Sequence, residues 1–223
     1  MGRFWGWLIV GWILGGLAIA PVVAAPTPPA TPQPIAQVRQ HLPDEPVTVQ
    51  GIVTVPSGAF ASGTGDRGFA IQDATAGIYI STAADWQLAL NQAVQVTGSV
   101  QDDGHGLLVL APQAPIQRRS LDADASLLPR SVSTGVVGEA TEGELVQIQG
   151  KITEPPRRDP PYGTGILLDD GSGPVQVFIN ASTGIVVPDW QPGQWLRVQG
   201  FSGQYEQYIE VSPRVEADLV VVD

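Results

Sequence analysis

The chain states one phrase twice, and this duplication limits the folds open to it more than any other feature of the sequence. "FAIQD" (69–73) leads through Ala-Thr-Ala into "GIYI". In the second half "ILLDD" (166–170) leads through Gly-Ser-Gly into "PVQVFI". Each phrase follows an alternating run with a glycine at the same place, "VTVQGIVTV" (47–55) and "VQIQGKIT" (146–153). Each is followed by "LNQAVQVTGSV" (90–100) or "QPGQWLRVQGF" (191–201), and then by "GLLVLAPQ" (106–113) or "QYIEVSPR" (207–214).

Apolar residues at every second position argue half-buried strands. A glycine inside a strand marks a bulge or sharp bend, the device that curls a sheet. Asp-Ala-Thr-Ala-Gly and Asp-Asp-Gly-Ser-Gly suit tight hairpin turns. The 26 glycines and 20 prolines fit a chain of short strands and many turns. Between the third and fourth strands stand Trp86 and Trp190, expected to plug the two barrels, and residues 85–88 are expected to form a helical turn in the first copy. A short helix is expected over "IAQVRQHL" (35–42).

Five strands with a kinked first strand describe an OB-fold barrel. The expectation is an all-β chain of two consecutive five-stranded OB-fold barrels, domain 1 over residues 35–130 and domain 2 over 131–223, with Gly51 and Gly150 at matching bends. On these motifs the first copy resembles the OB-type domains that accompany secreted bacterial nucleases. The second is similar to OB domains of the wider nucleic-acid-binding superfamily. The resemblance covers nearly all of residues 36–223 and implies binding of single-stranded nucleic acid, mainly through the second copy.

The first 24 residues give the chain an address. Arg3 is followed by an uncharged apolar run, a helix-breaking Pro21, and Val22-Val23-Ala24, which offers small residues for cleavage. This is the order of a secretory signal peptide, cut before Ala25 and delivering a secreted or periplasmic protein. An uncleaved membrane anchor is the alternative, since the run is long enough to span a bilayer. Residues 25–34 read as a Pro-rich extended spacer.

Several chemistries are excluded or disfavoured. There is no cysteine, so disulfides, thiolate zinc sites and cysteine nucleophiles are excluded. His41 and His105 are the only histidines, too few for a His-rich metal site. His105 is expected to be solvent-exposed in a Gly-rich turn. Asp102-Asp103 and Asp169-Asp170 each precede a glycine and read as solvated turns, because no loop shows the regular ligand spacing of a calcium site. No nucleophile set or phosphate loop is evident, and neither a cofactor nor a metal is expected. A formal charge of −11 opposes polyanion binding.

The binding face is sought where OB barrels use it, on the outer face of strands two and three and their flanking loops. Alternation places Lys151, Gln149, Phe178 and Arg197 outward in the second copy. Phe201, Tyr205 and Tyr208 stand at the four-five loop, and Arg157 and Arg158 in the one-two loop. Cations interleaved with aromatics are what single-strand binders use. The first copy offers a poorer set: Thr48, Gln50, Arg67, Phe69 and Tyr79. The competing role for Phe178 and Tyr208 is packing between the barrels. The expectation is therefore an exported, monomeric, non-enzymatic protein that binds single-stranded nucleic acid. The alternative is a protein- or glycan-interaction module of the cell envelope, which the acidity favours.

Overall fold

The computed structural model describes residues 31–41, 43, 45–60, 66–120 and 127–222. The expected leader and residues 25–30 of the spacer lie outside the described residues. Among the described residues no helix is long and apolar enough to cross a membrane.

A short helix, α1 (Ile35–Val38), opens the fold. Both of its apolar ends are buried in the first core, and the Ile35 amide donates to Asp73 Oδ2 at 2.9 Å. Six strands follow: β1 (Pro46–Val55), β2 (Phe69–Gln72), β3 (Gly77–Ile80), β4 (Ala93–Asp102), β5 (Leu108–Pro112) and β6 (Gln117–Arg119). Their order in the sheet is β1-β2-β3-β5-β4-β6, and β1 also pairs β4. The first five strands thus close on themselves as an OB-type barrel. β3 and β5 are parallel neighbours, and the other pairs are antiparallel. Valines 47, 49 and 53 of β1 point into this barrel with Phe69, Ile71, Ile78 and Ile80.

The second sheet has eight strands: β7 (Arg130–Ser131), β8 (Leu145–Ile152), β9 (Arg157–Asp159), β10 (Gly163–Asp169), β11 (Val175–Asn180), β12 (Trp195–Tyr205), β13 (Tyr208–Ser212) and β14 (Leu219–Val222). β8, β10, β11, β13 and β12 are successive neighbours, and β12 also pairs β8. β11 and β13 are parallel, as their counterparts β3 and β5 are.

The two strand glycines have a steric reason. β1 pairs with β4 up to Ile52 and with β2 from Ile52 onward. A Cβ on Gly51 would stand 2.9 Å from the carbonyl oxygen of Gln72, and one on Gly150 would stand 3.0 Å from the amide nitrogen of Asp169. Each glycine lets its strand pass from one neighbour to the next at backbone contact distance. The hairpin turns are held by their aspartates: Asp73 Oδ1 accepts from the amides of Thr75 (2.7 Å) and Ala76 (3.0 Å), and Asp169 Oδ1 from those of Gly171 (2.7 Å) and Gly173 (3.2 Å). Asp170 accepts from Ser172 and Thr134, which hold its carboxyl down to about 2.

Trp190 is buried in the second core and Trp86 packs against the first. The helical turn expected at residues 85–88 does not form. Gln87 takes a left-handed φ of 49°, its amide bonds to Asp85 Oδ1, and Leu88 is tied to Ser57 through both its amide and its carbonyl. Those bonds replace the helical ones. The 3-10 turn occurs instead in the second half, at Ala181–Thr183.

The halves meet over a third apolar cluster that includes Val55, Ala70, Tyr79, Leu107, Val109 and Phe201. Around it, Arg39 pairs with Glu142 at 2.8 Å, the Leu145 amide donates to Gln72 Oε1 at 2.7 Å, and Arg214 Nη1 donates to the Thr54 carbonyl at 2.8 Å. Asp218 holds the same guanidinium at 2.8 Å. Backbones also touch. A Cβ on Gly77 would fall 1.9 Å from the Gly143 carbonyl oxygen, so no side chain fits between the two backbone segments there.

Candidate nucleic-acid interface

Residues opposed across a ladder share one face of the sheet. Val177, Ile179, Ile166, Leu168 and Val211 lie in the second core. Their neighbours Gln176, Phe178, Gly165, Leu167 and Glu210 therefore point outward. Arg157 opposes Gly165, and Gly165 opposes Phe178. Glu210 neighbours Gln176, and Tyr208 opposes Tyr205. Arg157, Phe178, Glu210 and the two tyrosines thus occupy one outer face, across β9, β10, β11, β13 and the end of β12. The Phe178 ring lies over Gly163, where a Cβ would come within 3.0 Å of it. The missing side chain gives the ring a flat seat. Tyr205 and Tyr208 are each 42% exposed.

The expected set divides elsewhere. Arg158 opposes Thr164, which in turn opposes Ile179. It therefore faces the reverse side from Arg157, and it lines a groove of about 560 Å³ with Pro160, Pro161, Ile185 and Val187. Consecutive strand residues cannot serve one face, and residues 157 and 158 are in a strand rather than a free loop. Lys151 opposes both Asp169 and Trp195, with its ammonium 5.7 Å from the Trp195 ring centroid. Arg197 opposes Gln149 and Val220 on the same outer flank. Lys151, Gln149 and Arg197 are thus together, around the sheet from Phe178.

Phe201 was expected at the ligand face and is not available there. It is 4% exposed and packs against Tyr79 and Phe60, with ring centroids 5.8 and 6.1 Å apart. Phe69, expected outward in the first copy, is wholly buried in the first core opposite Ile80. Tyr79 does point outward, but the second half covers it. Burial pushes its phenol well above the usual tyrosine range, and the Asp66 carboxylate adds to the effect. The face of the first barrel that corresponds to the Phe178 face is thus sealed by Phe201.

His105, expected to be solvent-exposed, is only partly so. It stacks on Tyr205 with ring centroids 4.8 Å apart and planes 24° from parallel. Its carbonyl accepts from the Glu206 amide at 2.6 Å. The paired acids Asp102 and Asp103 cap their own turn, accepting from the amides of Gly104, His105 and Leu107.

Between the halves, just beside the open face, lies a cleft of about 120 Å³. Phe60, Tyr79, Phe201 and Leu107 supply its apolar wall. Glu210 is a cleft residue that the sequence reading did not single out. It lines the cleft, accepts from Gln176 Nε2 at 2.5 Å, and has its carboxyl pushed up to about 7 by burial, which that hydrogen bond only partly offsets. A carboxylate on a strand of the second core was the available signal.

No family model matches the chain. The chain is 28% identical over 207 residues to Endonuclease YhcR of Bacillus subtilis (strain 168), a match that covers 88% of this chain and 16% of that protein. The expectation of a non-enzymatic protein is corrected by this finding, because a relative across most of the chain is named an endonuclease. Among solved structures, a murine DNA-binding protein bound with double-stranded DNA overlaps 80% of this chain and 97% of its own, at a TM-score of 0.41 and 8% identity. The p204 HINb domain overlaps 82% and 97%, at 0.37 and 14%. The strand pairings define the fold without these weak overlaps.

Proposed function

We propose that the chain is an exported tandem of OB-type barrels that binds single-stranded nucleic acid on the outer face of its second half, as a binding unit in nuclease chemistry. The second barrel is supported by its pairings, which run in the same order as the first: one, two, three, five, four and back to one. The binding reading is carried by one observation. Of two equivalent OB faces, the first is sealed by Phe201, while the second stays open and presents Arg157, Phe178, Tyr205 and Tyr208. Rings that stack bases beside a cation that meets phosphate are the usual equipment of sequence-tolerant strand binding. Lys151 and Arg197 on the flank offer further phosphate contacts, and Arg158 belongs to the opposite side. The similarity to a named endonuclease supports nucleic acid as the substrate class, and the leader sequence supports export.

Fluorescence anisotropy with labelled single-stranded 12-mers at rising salt tests the binding. A measurable affinity that weakens with salt is expected. Absence of binding at low salt would overturn it in favour of an envelope protein- or glycan-interaction module, the reading that the net acidity favours. Incubation with circular single-stranded DNA reads cleavage directly. N-terminal sequencing of the exported form locates the mature end, expected at Ala25.

A further inference from the structure

We propose that the inter-barrel cleft is a base-reading pocket that takes one cytosine from the bound strand, with Glu210 accepting from its exocyclic amine. The inference rests on the nucleic-acid reading above and adds a preference to it.

Three observations carry it. The first is size. A cavity of about 150 Å³ holds benzene. At about 120 Å³ the cleft is on the scale of one six-membered ring, with its mouth open to solvent. The second is the wall. Tyr79 and Phe201 form its apolar side and the stacked His105–Tyr205 pair lies at its edge, so a ring entering from the Phe178 face meets aromatic surface. The third is polarity. Asp66, Asp103 and Glu210 all line the cleft, so a phosphate is repelled and a neutral group with N–H donors is favoured.

Glu210 is set up as an acceptor. A carboxylate can only accept, so Gln176 must present its Nε2 to Glu210 Oε1, and this fixes the carboxyl plane. Among the described residues Oε2 has no partner. An acidic side chain that accepts from cytosine N4 is a standard reading contact. Asn180, outward on the same strand as Gln176 and also lining the cleft, carries the amide donors that cytosine N3 and O2 require. Uracil and thymine place a carbonyl oxygen where cytosine has its amine, and that oxygen faces Glu210 unfavourably.

The test uses the full chain and three 12-mers: all deoxyadenosine, or deoxyadenosine with one central deoxycytidine or deoxyuridine. Anisotropy is read at pH 8.5, where Glu210 is ionised against the facing groups Asp66, Tyr79, Asp103 and His105. The cytosine oligomer should bind about tenfold tighter than the uracil one, the worth of one charge-assisted hydrogen bond. Glu210→Gln should reverse the order. Gln176 would hold the new amide oxygen, leaving the amide nitrogen, a donor, toward the cleft, where it suits the uracil O4. Equal binding of the two oligomers by the unaltered protein, or an unchanged ratio in a Glu210→Gln variant with a wild-type circular dichroism spectrum, overturns the pocket while leaving strand binding intact. Failure to bind any of the three removes the nucleic-acid reading itself.

Discussion

Replacing Phe201 by alanine separates packing from ligand contact. The ring is 4% exposed and touches Tyr79 and Phe60 across the junction of the two halves. Truncating a buried phenylalanine costs about 3–5 kcal/mol, through lost transfer energy and the cavity left behind. Here the vacated space would join the existing cleft of about 120 Å³, which opens toward solvent, so water can relieve part of the cavity cost. The loss should fall at the lower end, about 3 kcal/mol. For a folded unit of this size, that lowers Tm by roughly 6–12 °C. Thermal unfolding followed by circular dichroism reads the shift, with oligonucleotide affinity measured below the transition. A variant that melts with the wild type yet binds strands poorly would refute the reasoning, because the ring would then belong to the ligand and not to the junction.

Other perturbations separate the faces. Phe178→Ala should weaken strand binding by about 1–3 kcal/mol at every salt concentration, as loss of a stacking ring does, with Tm nearly kept. Arg157→Ala should reduce the salt slope by roughly 0.7, one phosphate contact on a single strand. Arg158→Ala, on the reverse side, should leave the slope unchanged, and equal effects from the two arginines would sink the face assignment. Burial raises the Glu210 carboxyl from 4.5 to about 7, so the folded state holds its proton more tightly than the unfolded chain. The stability that Glu210 contributes is then fully present below pH 4.5 and is lost as pH rises through about 7, with Glu142, also raised by burial, contributing in the same direction. Glu210→Gln should therefore melt higher than wild type at pH 8, and the gap should close toward pH 4.5.

The strand order was legible because each element carried its own mark. Gly51 and Gly150 sit where backbones nearly touch, and each Asp-started turn is closed by local bonds from the aspartate to the amides just after it. The junction was not legible. β2 is buried along its whole length: Phe69 and Ile71 by the first core, Ala70 by the second half, and Gln72 by its bond to Leu145. With both sides covered there is no polar phase to read, so alternation could not say that Phe69 points in and Ala70 out. The same limit applies to Phe201, since alternation puts it outside the core of its own half but cannot show that the other half stands there. Arg157 and Arg158 were grouped because their segment reads as a loop. Pairing with β10 makes it a strand and sends them opposite ways.

The sealed face of the first barrel bears on footprint and valency. Two linked barrels with two open faces would hold a long strand at both, and affinity would climb steeply once the strand could bridge them, through effective concentration. Here Tyr79 and Ala70, the centre of the first face, lie beneath the second half. If the second face binds as proposed, the protein would be monovalent along a strand despite its duplication. Its occluded length is that of a single OB barrel, about 4–16 nucleotides. Strands longer than this add overlapping registers and so raise affinity only in proportion to their number. On the proposed reading, the first copy is the wall against which the second would position its ligand.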